Sequence, residues 1–222
     1  MNPDLNTGVT KTMRLIWVGV LLTAMLLVLG ALLLALRARQ ARMPPPPVYG
    51  SVAEFTLTNA DGRPVTLADL RGRVWVADII FTRCAGPCPR MTAQMKRVQD
   101  ALPPNSGARL VTLTTDPEFD SPAVLAAYAR KFGADTNRWL FLTGAKAEIA
   151  KLAVDSLKLT AIEKKPGERL DPADLFIHST LFVIVDKQAR LRGVFETEGE
   201  GIEPGAAQAR ILATIRRLEK ER

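Results

Sequence analysis

The sequence has few of the residues that build disulfide networks or histidine-rich metal sites. Its 222 residues include two cysteines and a single histidine. Two cysteines cannot form a disulfide-dense scaffold, and one histidine excludes a histidine-rich zinc site. Any bound metal must therefore take its ligands mostly from sulfur or carboxylate groups. Apolar residues make up 47% of the chain, which excludes a disordered or collagen-like protein.

Basic runs are also missing from most of the chain. The net charge of +7 reflects 30 basic and 23 acidic residues, but more than half of that excess lies within residues 1–47. The remaining charges are interspersed, without interleaved aromatic residues, so no nucleic-acid binding is expected. The N-terminal basic residues flank an apolar segment, and this arrangement favours contact with lipid headgroups.

That apolar segment, residues 15–36, contains no charged side chain. A helix of this length, at ~1.5 Å per residue, matches a hydrocarbon core of ~30 Å. A cleaved signal peptide normally has an apolar region of only ~7–15 residues and a small-x-small cleavage site. We therefore predict an N-terminal tail at 1–14, an uncleaved transmembrane helix at 15–36 and a basic, proline-rich linker at 37–47. The charges flanking the helix lean, by one residue, towards a cytoplasmic C-terminal domain.

Residues 48–222 are predicted to form one α/β domain. Apolar runs that alternate with amphipathic segments are typical of a mixed sheet flanked by helices. Asp61-Gly62 predicts a hairpin turn, and the polar stretch 158–176 is read as a connection. Buried strands are predicted at 74–81, 110–114, 139–142, 180–186 and 190–196, and helices at 89–102, 122–132, 145–157 and 206–218.

The two cysteines lie between the first buried strand and its following helix. At a helix start, the dipole and the free N–H groups favour a thiolate, and Arg83 and Arg90 add positive charge. Because Cys84 and Cys88 are four residues apart around this start, their sulfurs can form a disulfide or share a metal ion. The alternative is a pair of buried structural cysteines.

His178 is the only histidine and precedes the strand at 180–186. If this strand is an antiparallel neighbour of the strand before the cysteines, His178 is expected to face the Cys84–Cys88 loop. Two thiolates and one imidazole suit Cu(I) and tolerate Cu(II), whereas tetrahedral zinc would lack a fourth ligand.

Three segments in this order closely resemble the Sco/SenC family: VADIIFTRCAGPCPRMTAQM, TTDPEFDSP and IHSTLFVIVD. Members of this family are membrane-anchored, thioredoxin-like proteins that help to build the copper centre of cytochrome c oxidase. The resemblance extends over the whole of 48–222. It implies a thioredoxin-like fold and a copper site formed by Cys84, Cys88 and His178.

The resemblance also implies where the domain acts and what it meets. It places the domain on the outer face of the membrane, against the small charge bias. The implied partners are the copper-bearing subunit of the oxidase and a copper donor. An alternative function is a thiol–disulfide oxidoreductase that reduces the oxidase cysteines before copper insertion. A redox or copper sensor would use the same residues.

The residues between the cysteines, Ala-Gly-Pro, depart from related redox proteins. Thioredoxins have two intervening residues and a cis-proline before the facing strand, whereas this region holds His178 and no proline. A peroxiredoxin would need Thr or Ser at position 81, where this chain has Phe. Both alternatives are weakened, but thiol exchange by the cysteine pair stays open.

Several neighbouring residues allow two interpretations each. Asp78 lies in an apolar strand and is interpreted as a partner group or proton acceptor for a thiol. The motif D-P-x-x-D at Asp116 and Asp120 favours turn formation and helix capping. Met91 and Met95 are predicted to pack in the core, since methionine-rich copper sites use more thioethers.

Overall fold

The computed structural model describes residues 4–41, 44–168, 175–199, 202 and 205–221. The chain divides into one unit that ends at Pro45 and a second that begins at Pro46 and continues to the C-terminus. The first unit contains one helix, α1 (Asp4–Ala41). Its segment Ile16–Leu36 is long and apolar enough to cross a membrane, in agreement with the predicted span.

The second unit is built on a mixed sheet of eight strands, with a separate two-stranded hairpin. The order in the large sheet is β1-β10-β9-β4-β5-β6-β2-β3, and the hairpin pairs β7 with β8. The strands are β1 (Gly50–Ser51), β2 (Thr56–Asn59), β3 (Pro64–Thr66), β4 (Trp75–Ile80), β5 (Arg109–Thr114), β6 (Trp139–Thr143), β7 (Ala161–Glu163), β8 (Phe176–His178), β9 (Leu181–Val185) and β10 (Arg190–Glu196).

Helices cover both faces of this sheet. Residues of three helices, α3, α4 and α6, join one core cluster, while the short helix α2 and the α5 region contribute to the other. The helices of this unit are α2 (Leu67–Leu70), α3 (Cys88–Ala101), α4 (Pro122–Lys131), α5 (Lys146–Ala150) and α6 (Ala206–Lys220).

The central strand β4 is buried along its whole length because it has a strand on each side and packed residues on both faces. It pairs in parallel with β5, Trp75 opposite Arg109, and antiparallel with β9, Trp75 opposite Val185. The condition set in the sequence analysis, that these two strands are antiparallel neighbours, is therefore met. As a result, the end of β4 and the beginning of β9 lie at the same edge of the sheet.

Local sequence signals explain several boundaries. The β2–β3 hairpin turns at Gly62, whose φ of +77° is accessible to glycine, and the side chain of Asn59 accepts hydrogen bonds from the N–H groups of Asp61 and Arg63. Ser121 caps α4 by accepting a hydrogen bond from the N–H of Val124. Both features were expected from the sequence.

The core contains the sulfur and indole side chains that the sequence predicted to be buried. Met91, Met95 and Trp139 pack in the cluster below α3, and Trp75 packs on the opposite face. Each of these side chains is inaccessible to solvent. The methionines are thus part of the apolar core, as predicted.

One prediction about the segment after β6 was wrong, and another holds with a local difference. The helix expected at 145–157 is present, as α5 followed directly by a π-helical turn, Lys151–Ser156. The stretch 158–176, interpreted as a connection, contains β7 and leads to β8. His178 is therefore the last residue of a short strand, because pairing between β7 and β8 satisfies the backbone of this polar segment.

Candidate metal centre

The cysteines lie on the turn that links β4 to α3. Cys84 follows β4, its N–H donating a hydrogen bond to the carbonyl of Phe81, and Cys88 is the first residue of α3. The N–H of Gly86 donates to Sγ of Cys84 at 3.3 Å. Pro89 lies in the first helical turn, where the missing N–H costs no hydrogen bond. The turn thus brings both sulfurs to one end of the central strand.

Both cysteines are reduced and buried, Cys84 with 9% of its surface exposed and Cys88 with none. Burial raises the pKa of the Cys88 thiol far above its ordinary value. A hydrogen bond with the Cys84 thiol and the charge of Asp78 also raise this pKa, while a hydrogen bond with the backbone of Phe81 lowers it. Cys88 is therefore a protonated thiol at neutral pH. Burial thus opposes the thiolate that the helix start is expected to favour.

Asp78 lies on β4, the strand that leads to the cysteine turn. It is completely buried, and its Oδ1 accepts a hydrogen bond from the hydroxyl of Thr112 at 2.7 Å. The Thr112 oxygen in turn accepts from the indole N–H of Trp139 at 2.9 Å. The charge of Asp78 thus raises the pKa of the Cys88 thiol, while its role as a partner group or proton acceptor for a thiol stays a prediction.

The D-P-x-x-D motif holds the beginning of the cysteine turn. Asp120 is fully buried and accepts hydrogen bonds from the N–H of Thr82 at 3.1 Å, from the Thr82 hydroxyl and from the Thr114 hydroxyl at 2.5 Å. Asp116 pairs with Arg83, Oδ2 to Nη2 at 2.5 Å. The structural role expected for this motif is confirmed. Its carboxylates mainly hold the beginning of the cysteine turn, whereas Ser121 caps the next helix.

The positive charge expected around the cysteines is largely neutralised. Arg83 is paired with Asp116 and stacks over the ring of Phe119 at 4.3 Å. Arg90 makes two hydrogen bonds to Glu198, at 3.0 and 2.8 Å. Sequence reasoning missed the Glu198 pair, because a contact over such a separation leaves no local signal.

The β7–β8 hairpin reaches the cysteine turn through an aromatic contact. The ring of Phe176 lies edge-on to that of Phe81, with centroids 5.1 Å apart. His178 is two residues further along β8, opposite Ala161, and its side chain lies outside the described part of the structure. Among the described side chains, no group of three or more His, Cys, Asp or Glu residues has metal-binding geometry. The structure thus brings Cys84 and Cys88 together, and His178 as their companion ligand stays a prediction.

Comparison with known proteins gives consistent matches over the second unit. A model of the SCO1/SenC family matches residues 47–215. The SCO1 protein homolog of Bacillus subtilis (strain 168) is 39% identical over 148 residues, which are 65% of this chain and 73% of that protein.

Solved structures agree in fold. BsSco, described as having a disulfide switch and as a member of the Sco family of cytochrome c oxidase assembly proteins, is 31% identical with a TM-score of 0.66, covering 81% of this chain and 99% of that one. Copper-bound ScoI of Bradyrhizobium japonicum shares the fold at 24% identity and a TM-score of 0.61, over 76% of this chain and 99% of that one. The predicted thioredoxin-like fold is confirmed.

Proposed function

The chain belongs to the SCO1/SenC family, and on this premise we propose that it is a membrane-anchored copper chaperone for the dinuclear copper centre of a cytochrome c oxidase. The family includes cytochrome c oxidase assembly proteins and members with bound copper. The observation in this chain that carries the proposal is the pair of buried thiols, Cys84 and Cys88, on one turn at the end of the central strand.

Copper is the cargo of the proposed site, with Cys84, Cys88 and His178 as its ligands. Two sulfur donors and one imidazole match the preference of Cu(I) and tolerate Cu(II). Since Cys88 is protonated in the reduced protein, binding displaces its proton, and the apparent affinity therefore rises with pH. A site with three protein ligands leaves the ion open to attack by ligands of an acceptor, which allows transfer by ligand exchange.

Copper binding by the full reduced chain in detergent tests this proposal. We expect one tightly bound equivalent, weakened at least tenfold in the variant His178→Ala and lost when the cysteines are oxidised. Ile162→Ala, an exposed position on β7 of the same hairpin, is the matched control and should bind like the wild type. Equal binding by the His178→Ala variant would remove the histidine from the ligand set, and no binding by the wild type would overturn the chaperone.

A second candidate is a thiol–disulfide oxidoreductase, which is favoured by the hydrogen bond between the two thiols. The disulfide switch described for BsSco is a related property of a relative. In this reaction the two thiols become a disulfide, and a disulfide of the partner receives the two electrons and two protons. His178→Ala should leave the rate of this exchange unchanged, whereas Cys84→Ser should abolish it. His178→Ala therefore separates the two candidate functions, because it should weaken copper binding but not thiol exchange, whereas Cys84→Ser should abolish both.

The membrane anchor is part of the same proposal. Residues 15–36 would span the membrane, the linker at 37–47 would connect them to the domain 48–222, and this domain would lie on the outer face. There it would meet a copper donor and the copper-bearing oxidase subunit. A reporter enzyme that is active only after export, fused behind residue 222, should be active in cells. Activity of a reporter that requires the cytoplasm would instead place the domain inside.

A further inference from the structure

The end of the sheet opposite the cysteine turn contains a cleft of about 520 Å³. It is lined by Arg71, Arg73, Asn105, Ser106 and Lys187, together with the carboxylate-bearing Glu219. The cleft lies where β4 begins, since Arg73 precedes that strand and Lys187 follows Val185, the partner of Trp75. The cysteine turn lies beyond the other end of β4, about 20 Å away at ~3.3 Å per residue.

Two further arginines lie at this end of the sheet. Arg109 is the first residue of β5, opposite Trp75, and Arg138 directly precedes β6. Together with Arg71, Arg73 and Lys187 these residues form what we call the basic end. It is a concentration of positive charge that the even distribution of charge along the sequence does not predict.

Most of the cations of the basic end lack a carboxylate partner. Arg138 donates to the carbonyls of Pro103 and Ser106, and the ammonium of Lys187 donates to the carbonyls of Glu219 and Glu221. Among the described residues, Arg73 and Arg109 also form no ion pair. Carbonyl oxygens satisfy hydrogen bonds but do not cancel charge. The cluster therefore retains a net positive potential.

The carboxylates near the basic end do not remove this potential. Glu54 pairs with Arg71 and balances its charge. Glu219, which accepts a hydrogen bond from Ser106, and Asp135, which acts on Arg109, are two carboxylates against the four cations Arg73, Arg109, Arg138 and Lys187, so positive charge stays in excess. Burial lowers the pKa of Arg109, and the charges of Arg73 and Arg138 lower it further, while Asp135 acts in the opposite direction. The three arginines thus repel one another, as expected where an anionic ligand is needed to balance them.

In a neighbouring cluster of four charged side chains the positive and negative charges cancel. Asp186 contacts Arg190 and Arg192, and Glu221 also pairs with Arg192 at 2.8 Å. Its two carboxylates and two guanidinium groups leave no excess charge. The unbalanced positive charge is therefore concentrated on the side formed by Arg73, Arg109, Arg138 and Lys187.

The chain enters the domain at this same end. The carbonyl of Pro46 accepts hydrogen bonds from the guanidinium of Arg192, at 3.1 and 2.9 Å. Gly50 of β1 pairs with Leu191, and Leu191 pairs with Val185 of β9, which lies opposite the first residue of β4. The residues that connect to the proposed membrane anchor thus join the domain beside the basic end.

We propose that the basic end binds the phosphate groups of anionic phospholipids and docks the domain on the membrane surface. Each basic residue near such a surface contributes about 1 kcal/mol, or roughly fivefold in affinity, and the attraction extends only over about a Debye length. Docking directs the cysteine turn away from the membrane, towards an acceptor. The inference rests on the proposed membrane anchoring.

The test uses the full chain in lipid nanodiscs, either of phosphatidylcholine alone or of phosphatidylcholine mixed with phosphatidylglycerol. Amide hydrogen exchange of residues 103–109, which border the cleft, should be several-fold slower in the anionic discs. The difference should disappear at about 1 M salt, where the Debye length is ~3 Å. Equal exchange in both kinds of disc would overturn the proposal.

Charge reversal identifies the surface. Arg73→Glu should abolish the slowing, since it replaces a cation of the basic end with an anion. Arg73→Gln should weaken docking by about fivefold in affinity and therefore lessen the slowing without abolishing it. Arg97→Glu, an exposed arginine on the flank of α3, makes the same change of charge elsewhere and should retain the slowing. An equal loss in both glutamate variants would contradict docking through the basic end.

Two controls separate this inference from its premises. Inorganic phosphate added to the neutral discs should not slow exchange at 103–109. If it does so in an Arg73-dependent way, the cleft is a site for soluble anions and the membrane proposal is wrong. Retention of the chain with the discs on gel filtration tests the anchor itself, so that failed anchoring and failed docking give different results.

Discussion

The carboxylate of Asp120 accepts a hydrogen bond from the backbone N–H of Thr82 at 3.1 Å, joining the loop before α4 to the turn that carries the cysteines. The same carboxylate accepts the hydroxyl groups of Thr82 and Thr114. One buried side chain thus connects the ends of β4 and β5. The cysteine turn is therefore held at its beginning by Asp120 and at its end by α3.

Replacing Asp120 with alanine should therefore destabilise the domain and loosen the turn. Removal leaves the buried N–H of Thr82 without its acceptor, at a cost of about 2–3 kcal/mol. Denaturant unfolding should show this loss, and alkylation of the cysteines should become faster. Asp100→Ala, which removes only an exposed pair with Lys96, should cost less than about 1 kcal/mol. Similar losses in both variants would contradict the role of Asp120.

The methionines below the cysteines provide a test of core packing against metal binding. Met91 and Met95 are inaccessible and pack among apolar side chains. The double variant Met91→Leu, Met95→Leu conserves volume, so unfolding should change by less than about 1.5 kcal/mol per site. Copper affinity, measured by competition with a Cu(I) chelator, should stay the same, whereas Cys88→Ser should lose it. A tenfold weaker affinity in the methionine variant would make a thioether a ligand.

The buried group around Asp186 predicts a loss of stability in acid. Although burial raises the pKa of Asp186, hydrogen bonds and charge interactions with Arg190 and Arg192 lower it below its ordinary value overall. A lowered pKa in the folded state stabilises the protein above the pKa of the unfolded state, near 4, and this contribution is lost as pH falls below it. Urea unfolding between neutral pH and pH ~2 should show the decline.

In the Asp186→Asn variant this decline should be shallower, and stability at neutral pH should already be lower by about 3 kcal/mol, because Arg192 is buried and keeps only Glu221 as a carboxylate partner. The exposed carboxylate of Asp155 serves as the control, and Asp155→Asn should follow the wild-type curve. An unchanged acid profile in Asp186→Asn would contradict the linkage.

Gly193 is expected to tolerate no side chain. A Cβ at this position would lie 2.6 Å from Cε2 of Phe195, on the strand where the pairing register of β10 with β9 shifts. Gly193→Ala should therefore displace the Phe195 ring and cost about 1–3 kcal/mol of unfolding free energy. Gly50→Ala meets no atom within 4 Å and should be nearly neutral in the same thermal melts. Equal melting temperatures for both variants would disprove the clash.

Strong local patterns account for what could be predicted from the sequence. The continuous apolar runs of β4 and β9 predict buried central strands, Gly62 marks a hairpin, and Ser121-Pro122 marks the beginning of α4. Such signals depend on residues within a few positions of one another. The α/β architecture and the position of the cysteine pair follow from them.

The features that were missed depend on distant partners. The pairing of Ala161 with His178 is set by tertiary contact and has no hairpin turn signature. The raised pKa of the Cys88 thiol results from the complete burial of this residue at the beginning of α3, and burial opposes the effect of the dipole at a helix start. Likewise, the basic end collects Arg73, Arg109, Arg138 and Lys187 from four separate segments of the chain, so the even distribution of charge along the chain conceals it.

The position of β4 between β5 and β9 also determines the order in which the protein can be completed during synthesis. The segment that covers one edge of β4 leaves the ribosome on the order of a hundred residues after β4 itself, and such distant pairing delays closure of the sheet. Until β9 is added, the strand leading to Cys84 and Cys88 has an open edge, so the sheet that carries the two thiols is completed only after most of the chain has been made.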